Sequence, residues 1–355
     1  MARLLLFSLF SVCCTLIAEA QQAVVLPQQS LSRWNIGTAH FSGITPLGNH
    51  RYALVSDKEP EDGFFVVRIE QHPNTGKVSH VELESFRGVS PTEKDGKGYS
   101  RRDAEGVAFV PQTQTLWISG EGDQQILEHR LDGGLTGRSF HIPTLFHLSN
   151  IAPNRGFEAL TCDSPRQLFW LTTESPLLSD CSSPDSLFQN PLLRFQSFDF
   201  ALQPHSQHLY PLDPPRVRSS RRPPLHGVSA LCALPDGRLV VMEREVLLAR
   251  RYFGSLCSVK LYCVDPRPTT ATATHPEEAQ QSDNRLLSKT LLATWTTRFG
   301  LFRNSLANYE GMCLGIRLPD GRQTLICIND SQAAWGKGPF RLHDYLRVII
   351  LPPDF

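Results

Sequence analysis

Short apolar runs separated by polar turns recur along the chain. One copy reads Gly106-Val107-Ala108-Phe109-Val110, a polar turn at 111–114, Thr115-Leu116-Trp117-Ile118-Ser119, and Gln125 to Leu131 closed by Asp132-Gly133-Gly134. Another reads Ala230 to Leu234, Pro235-Asp236-Gly237-Arg238, then Leu239 to Glu243, with Asp-Gly as the hairpin signal. A third carries Pro319-Asp320-Gly321-Arg322 at the same place. Each copy reads as an antiparallel unit of three or four short strands joined by tight turns, about one propeller blade.

Polar positions recur in register with these units. Glu105, Glu158 and Glu310 each stand at the opening of an apolar strand, and a second acid follows at the end of a nearby strand: Glu121 and Glu174 after 16 residues, Asp330 after 20. Ser42 and Ser229 open two further units, followed by Asp57 after 15 residues and Glu243 after 14. Five copies along one chain predict a repeat architecture.

The unit openings are spaced by 63, 53, 71 and 81 residues, longer than a minimal blade of roughly 40 to 50 residues. The excess falls in Arg87 to Arg102, in Pro211 to Pro224, and in a Thr-, Ala- and Glu-rich stretch at about 266–284 that reads as a mobile loop. Three strands are left over: Ala23 to Leu26, Lys289 to Thr297 and Leu346 to Leu351. They are available to close the ring, because a chain's two ends can share a blade so that no edge stays open. The expected fold is therefore all-β, a single β-propeller with long inserted loops. Six blades is the preferred count, with five and seven as alternatives.

Composition adds compartment and class. Hydrophobic residues make up 41 % and charged residues 20 % of the chain, with zero formal net charge, which fits one folded unit over 21–355 and no polyanion partner. The start, Met1-Ala2-Arg3, an uncharged apolar run from Leu4 to Ala18, and Ala18-Glu19-Ala20, reads as a signal peptide over 1–20 cleaved after Ala20. The mature chain is expected to be exported, periplasmic or secreted, and monomeric, with no membrane span. Seven cysteines follow the signal, an odd number. Cys162 with Cys181 and Cys257 with Cys263 are the expected disulfides, since each pair lies within one unit. Cys232, Cys313 and Cys327 read as buried packing residues, and the five tryptophans as blade packing.

The acids carry the chemistry. In a propeller the first strand of every blade lines the central channel, so Glu105, Glu158 and Glu310, with Ser42 and Ser229, are expected around one mouth, and Asp57, Glu121, Glu174, Glu243 and Asp330 near it. Crowded carboxylates repel and take up protons unless a cation joins them. A hard divalent ion, Ca²⁺ first, suits all-oxygen ligands; the candidate metal ligands are these eight acids. Two readings stay open: a shared metal or substrate site, or acids that each cap their own blade by accepting backbone N–H bonds. Lys58, Arg102, Arg155 and Arg244 border the acids and suit a phosphate or carboxylate group of a substrate.

Asp103 to Ala108, Asn154 to Leu160, Thr172 to Ser175 and Asn308 to Met312 resemble the phytase-like family described as "esterase-like activity of phytase", over roughly residues 38–350. The resemblance implies an exported β-propeller that hydrolyses a small-molecule phosphate or carboxylic ester. Dense Asp-rich calcium loops, as in true β-propeller phytases, are not found in this sequence.

Other chemistries lack their motifs. No G-x-S-x-G elbow, C-x-x-C pair, P-loop, Rossmann fingerprint or basic-aromatic nucleic-acid surface occurs. His40 before Ser42 and His226 before Ser229 lie in separate units. Two function classes follow: a metal-assisted ester hydrolase in which one of Glu105, Glu158 and Glu310 activates water, or a noncatalytic scaffold with structural acids.

Overall fold

In four of the five units the apolar runs pair into a four-stranded antiparallel sheet, and in the last, where two short strands from the start of the chain join, into a five-stranded one. The computed structural model describes residues 22–355 apart from 38, 182–190, 217–223, 250–252, 268–285, 301–303, 337 and 339–340. The expected signal peptide over 1–20 and most of the insertion at 266–284 lie outside the described residues.

Strands β1 (Val24–Val25) and β2 (Gln29–Ser30) precede the first complete blade, which is β3 (Phe41–Gly48), β4 (Arg51–Ser56), β5 (Asp62–Gln71) and β6 (Val78–Val89). The second blade is β7 (Ala104–Val110), β8 (Thr115–Gly120), β9 (Ile126–Arg130) and β10 (Leu135–Ser139). The third is β11 (Phe157–Asp163), β12 (Leu168–Thr173), β13 (Leu192–Asp199) and β14 (Pro204–Pro211). The fourth is β15 (Leu225–Ala233), β16 (Leu239–Leu247), β17 (Leu256–Val264) and β18 (Lys289–Arg298). The last holds β19 (Asn308–Arg317), β20 (Gln323–Asp330) and β21 (Tyr345–Ile350), with β1 from the other end of the chain as its outer strand. Val24 and Val25 pair antiparallel with Ile350 and Ile349, so the ring closes with strands from both ends.

The propeller therefore has five blades, not six. Lys289–Arg298 supplied the miscount: a long insertion separates it from β17, so in the sequence it stands alone, yet it pairs with β17 along its length and completes the fourth blade.

Each blade packs face to face on the next through an apolar layer. Trp117 and Ile126 of the second blade meet Phe157 and Phe169 of the third, and Met242 and Val259 of the fourth meet Tyr309 and Cys327 of the fifth. The middle strands are covered on both faces, which is why Leu116-Trp117-Ile118 and Leu239 to Met242 are unbroken apolar runs with every residue buried. Trp117, Trp170 and Trp295 belong to this packing, whereas Trp335 is 44 % exposed.

The expected disulfides do not form; all seven cysteines of the described residues are free. Cys257 and Cys263 lie on the same strand, β17, six residues apart. At ~3.3 Å per residue that separation is about 20 Å, far beyond the ~7 Å between Cα atoms that a bridge tolerates. Cys162 sits near the turn end of β11, while Cys181 follows the opposite end of β12. Among the described residues no helix is long and apolar enough to cross a membrane.

Candidate functional site

The five innermost strands share a local irregularity. Pairing of β3 with β4 slips between Phe41 and Gly43, of β7 with β8 between Ala104 and Val107, and of β11 with β12 between Phe157 and Ala159. The same slip occurs between Val228 and Ala230 and between Tyr309 and Gly311. Ser42, Glu105, Glu158, Ser229 and Glu310 are thus the extra residues of five β-bulges, and a bulge re-aims a side chain off the ladder. All five line one small space on the propeller axis, of about 10 Å³, room for one water.

Small residues follow each bulge because five strands crowd the axis. A Cβ on Gly43 would lie 2.4 Å from the Glu105 carbonyl oxygen. The next residue along is apolar in every blade: Ile44, Val107, Leu160, Leu231 and Met312 form a ring that bounds the acidic space on one side and a larger cavity on the other.

The second acids have different fates. Arg244, only 5 % exposed, donates from Nη2 to Glu158 at 3.0 Å and Glu174 at 2.9 Å, and from Nη1 to Asn308 at 2.7 Å and to Glu310. Arg155 also pairs with Glu174. Glu121 accepts the Gly156 N–H at 2.7 Å. Asp330 accepts the Gln332 N–H and lies 3.6 Å from His40 Nδ1, which is equally far from Asp57. Glu243 sits apart, held by Tyr210 Oη at 2.6 Å and Lys289 Nζ at 2.6 Å, beside Asp213, which Lys260, Lys289 and Tyr262 also bind. The eight acids do not gather round one point.

Three carboxylates do gather. One oxygen each of Asp57, Asp103 and Glu105 lies within 4.8 Å of the others. Lys58 touches two of them, at 2.9 Å from Asp57 and in contact with Asp103. Glu105 is 8 % exposed and, among the described residues, has no hydrogen-bond or ion-pair partner. Asp57 Oδ1 is likewise buried with no hydrogen bond. When all three are ionised, three carboxylates and one ammonium leave a deficit of two positive charges, which suits a hard divalent cation on oxygen ligands. Asp103 is the residue that counting strand openings missed. It sits in the loop before β7 at φ +56°, and that turn brings it back beside Asp57.

Arg102 does not reach the mouth. Its side chain is buried between Asp62 at 3.2 Å and Asp123 at 3.4 Å and donates to the Ile118 carbonyl at 3.0 Å, so it ties the first blade to the second.

Crowding shows in the acidities. Burial, then the charges of Glu158, Asp57 and Glu310, pushes Glu105 well above the usual carboxylate range. Burial and Glu174 push Glu158 up despite Arg244. Glu310 is pushed up to about 7 by burial against the pull of Arg244, and Glu121 to about 7 by burial against its bond from Gly156. Asp330 is raised well above its ordinary value by burial, then by Glu310 and Asp57.

A closed ring of five blades with buried carboxylates converging on one mouth defines a β-propeller with an acidic axial site. Residues 36–332 match the family model Phytase-like, "Esterase-like activity of phytase", and the chain belongs to that family. No curated protein matches it. Among solved structures, the chain is similar to the endo-arabinase from Bacteroides thetaiotaomicron, with 12 % identity over 90 % of this chain and 95 % of that one and a TM-score of 0.45. It is also similar to the PQQ-bound aldose sugar dehydrogenase from Streptomyces coelicolor, with 10 % identity over 92 % and 98 % and a TM-score of 0.42. Likenesses this distant carry no argument about this chain.

Proposed function

We propose that the protein is an exported hydrolase of small phosphate or carboxylic esters, assisted by Ca²⁺ at the acidic mouth. The observation that carries this reading is the cluster of Asp57, Asp103 and Glu105, in which Asp57 Oδ1 is buried without a hydrogen bond and the Glu105 carboxyl has no partner among the described residues. A buried carboxylate left without donor or cation is costly, and those three residues would hold the ion. Bound there, Ca²⁺ supplies Lewis-acid polarisation of the ester oxygen.

The remaining roles fall to residues around it. Lys58 and Arg155 are partly exposed beside the mouth and suit the anionic or polarised end of the substrate. Glu158 and Glu310 flank the water-sized axial space, where one of them takes a proton from water. Carboxyls raised toward neutrality exchange protons at working pH. Arg244 is a positioning residue: it fixes both glutamates by hydrogen bonds and stays beneath them.

A noncatalytic scaffold with structural acids is the second reading. It draws on the Glu121–Gly156 bond and on the internal neutralisation by Arg244. Screening the purified protein on 4-nitrophenyl phosphate and 4-nitrophenyl acetate, after chelation and after Ca²⁺ return, separates the two. Turnover that disappears and returns supports the hydrolase; no turnover under either condition supports the scaffold.

A further inference from the structure

Beyond the ring of Ile44, Val107, Leu160, Leu231 and Met312, the axis widens again on the side away from the acids. The cavity there measures about 210 Å³ and is reached from the opposite face of the propeller, where the innermost strands end in their turns. Pro46, Pro111, Pro165 and Pro235, one from each of the first four blades, frame it with stiff apolar surface.

The side-chain oxygens of its wall, on Thr45, Thr161, Asp163 and Ser164, each have a partner. Thr45 Oγ1 accepts the Phe109 N–H at 3.2 Å, and Thr161 Oγ1 accepts the Ala233 N–H at 3.0 Å, each bond joining neighbouring blades. Asp163 is engaged by Arg166 at 3.3 Å. Cys162, Cys232 and Cys313 complete the lining; burial pushes Cys162 and Cys232 up to about 12 and Cys313 well above its ordinary value, so all three are neutral thiols. Thiols in that state act as small apolar surface.

Such a space is poorly suited to water, which needs two to four polar partners, and apolar cavities of ~150 Å³ take up benzene-sized molecules. Nor does the chain's own end fill it. Phe355 is held under the Arg238 guanidinium at 4.0 Å, and Arg238 Nη2 donates to the Asp354 carbonyl at 2.7 Å, which holds the C-terminus against the fourth blade.

We infer that this blind well is a second ligand site, taking one small neutral apolar molecule, an aromatic ring or a short alkyl chain. It is separate from the acidic mouth and does not depend on the reading of that mouth. An anionic analogue is disfavoured because the wall holds no cation, and Asp163, its one charged side chain, would repel it.

Titration calorimetry with toluene and with benzoate tests this on the purified protein. The expected result is one saturable toluene site, benzoate at least tenfold weaker, and toluene binding unchanged in Glu105→Gln. Filling the well by Cys232→Phe should weaken toluene at least tenfold; Cys313→Leu, a smaller addition, serves if the first variant does not fold. Absence of saturable toluene binding, equal affinity for benzoate, or full affinity in a folded, filled variant would overturn the proposal.

Discussion

Arg244 Nη2 lies 3.0 Å from Glu158 Oε1, a guanidinium of the fourth blade reaching a carboxylate of the third. The same group holds Glu174 and Glu310, so one cation joins three blades across the axis. Removing one partner of a buried charge network leaves the others uncompensated. Arg244→Met is therefore expected to lower unfolding free energy by about 3 to 5 kcal/mol in urea titrations. A loss below about 1 kcal/mol would mean that the network is not what joins the blades.

Stability should also depend on pH in a defined direction. An unfolded glutamate titrates near ~4.3, whereas Glu121 and Glu310 are held up at about 7 in the fold by burial. Between those values the folded chain keeps protons that the unfolded chain has released. The contribution is complete below the unfolded value and is lost as pH rises through the folded one. In calcium-free protein the urea midpoint should fall from about pH 5 to about pH 8, and Glu310→Gln should flatten the slope. A midpoint that rises across that interval contradicts the assignment.

Crowding at the axis makes a steric prediction. Gly43→Ala would place a methyl 2.4 Å from the Glu105 carbonyl oxygen, and backbone cannot yield there without displacing the bulge. A loss of about 1 to 3 kcal/mol is expected, with weaker Ca²⁺ stabilisation because Glu105 moves. Thermal unfolding with and without Ca²⁺ measures both.

The free cysteines are checked by chemistry. In denaturant without reductant, all seven thiols from Cys162 to Cys327 should react with Ellman's reagent, and dithiothreitol should leave the melting temperature unchanged. Fewer than six reactive thiols would reveal a bridge.

The regular part of this architecture was readable in the sequence. Ser42, Glu105, Glu158, Ser229 and Glu310 could be aligned by their spacing because each opens an inner strand, and inner strands are related by rotation about the axis. The bulges that aim these residues left a trace too, the Gly or Ala after each one. What could not be read was set by loops and by distant partners. Arg102 and Asp103 are adjacent in the chain, yet one points into the interface between the first two blades and the other joins Asp57 at the mouth. Spacing does not encode how a loop turns. Glu243 fits the repeat, but Tyr210 and Lys289, far away in sequence, draw it into another cluster. The outer strand Lys289–Arg298 pairs with β17, but the insertion before it separates the two in sequence, so it reads there as a ring-closing strand.

The central claim is that Glu105, with Asp57 and Asp103, binds the cation on which hydrolysis depends. It is tested most directly by titrating Ca²⁺ into chelated wild-type protein and Glu105→Gln, following 4-nitrophenyl ester turnover and melting temperature in the same samples. Asp320→Asn, at an exposed turn, is the control. The account predicts that turnover and melting temperature rise together in wild type and in Asp320→Asn, with half-saturation shifted at least tenfold higher in Glu105→Gln. Calcium responses that are identical in Glu105→Gln and wild type, or absent from both, would contradict it.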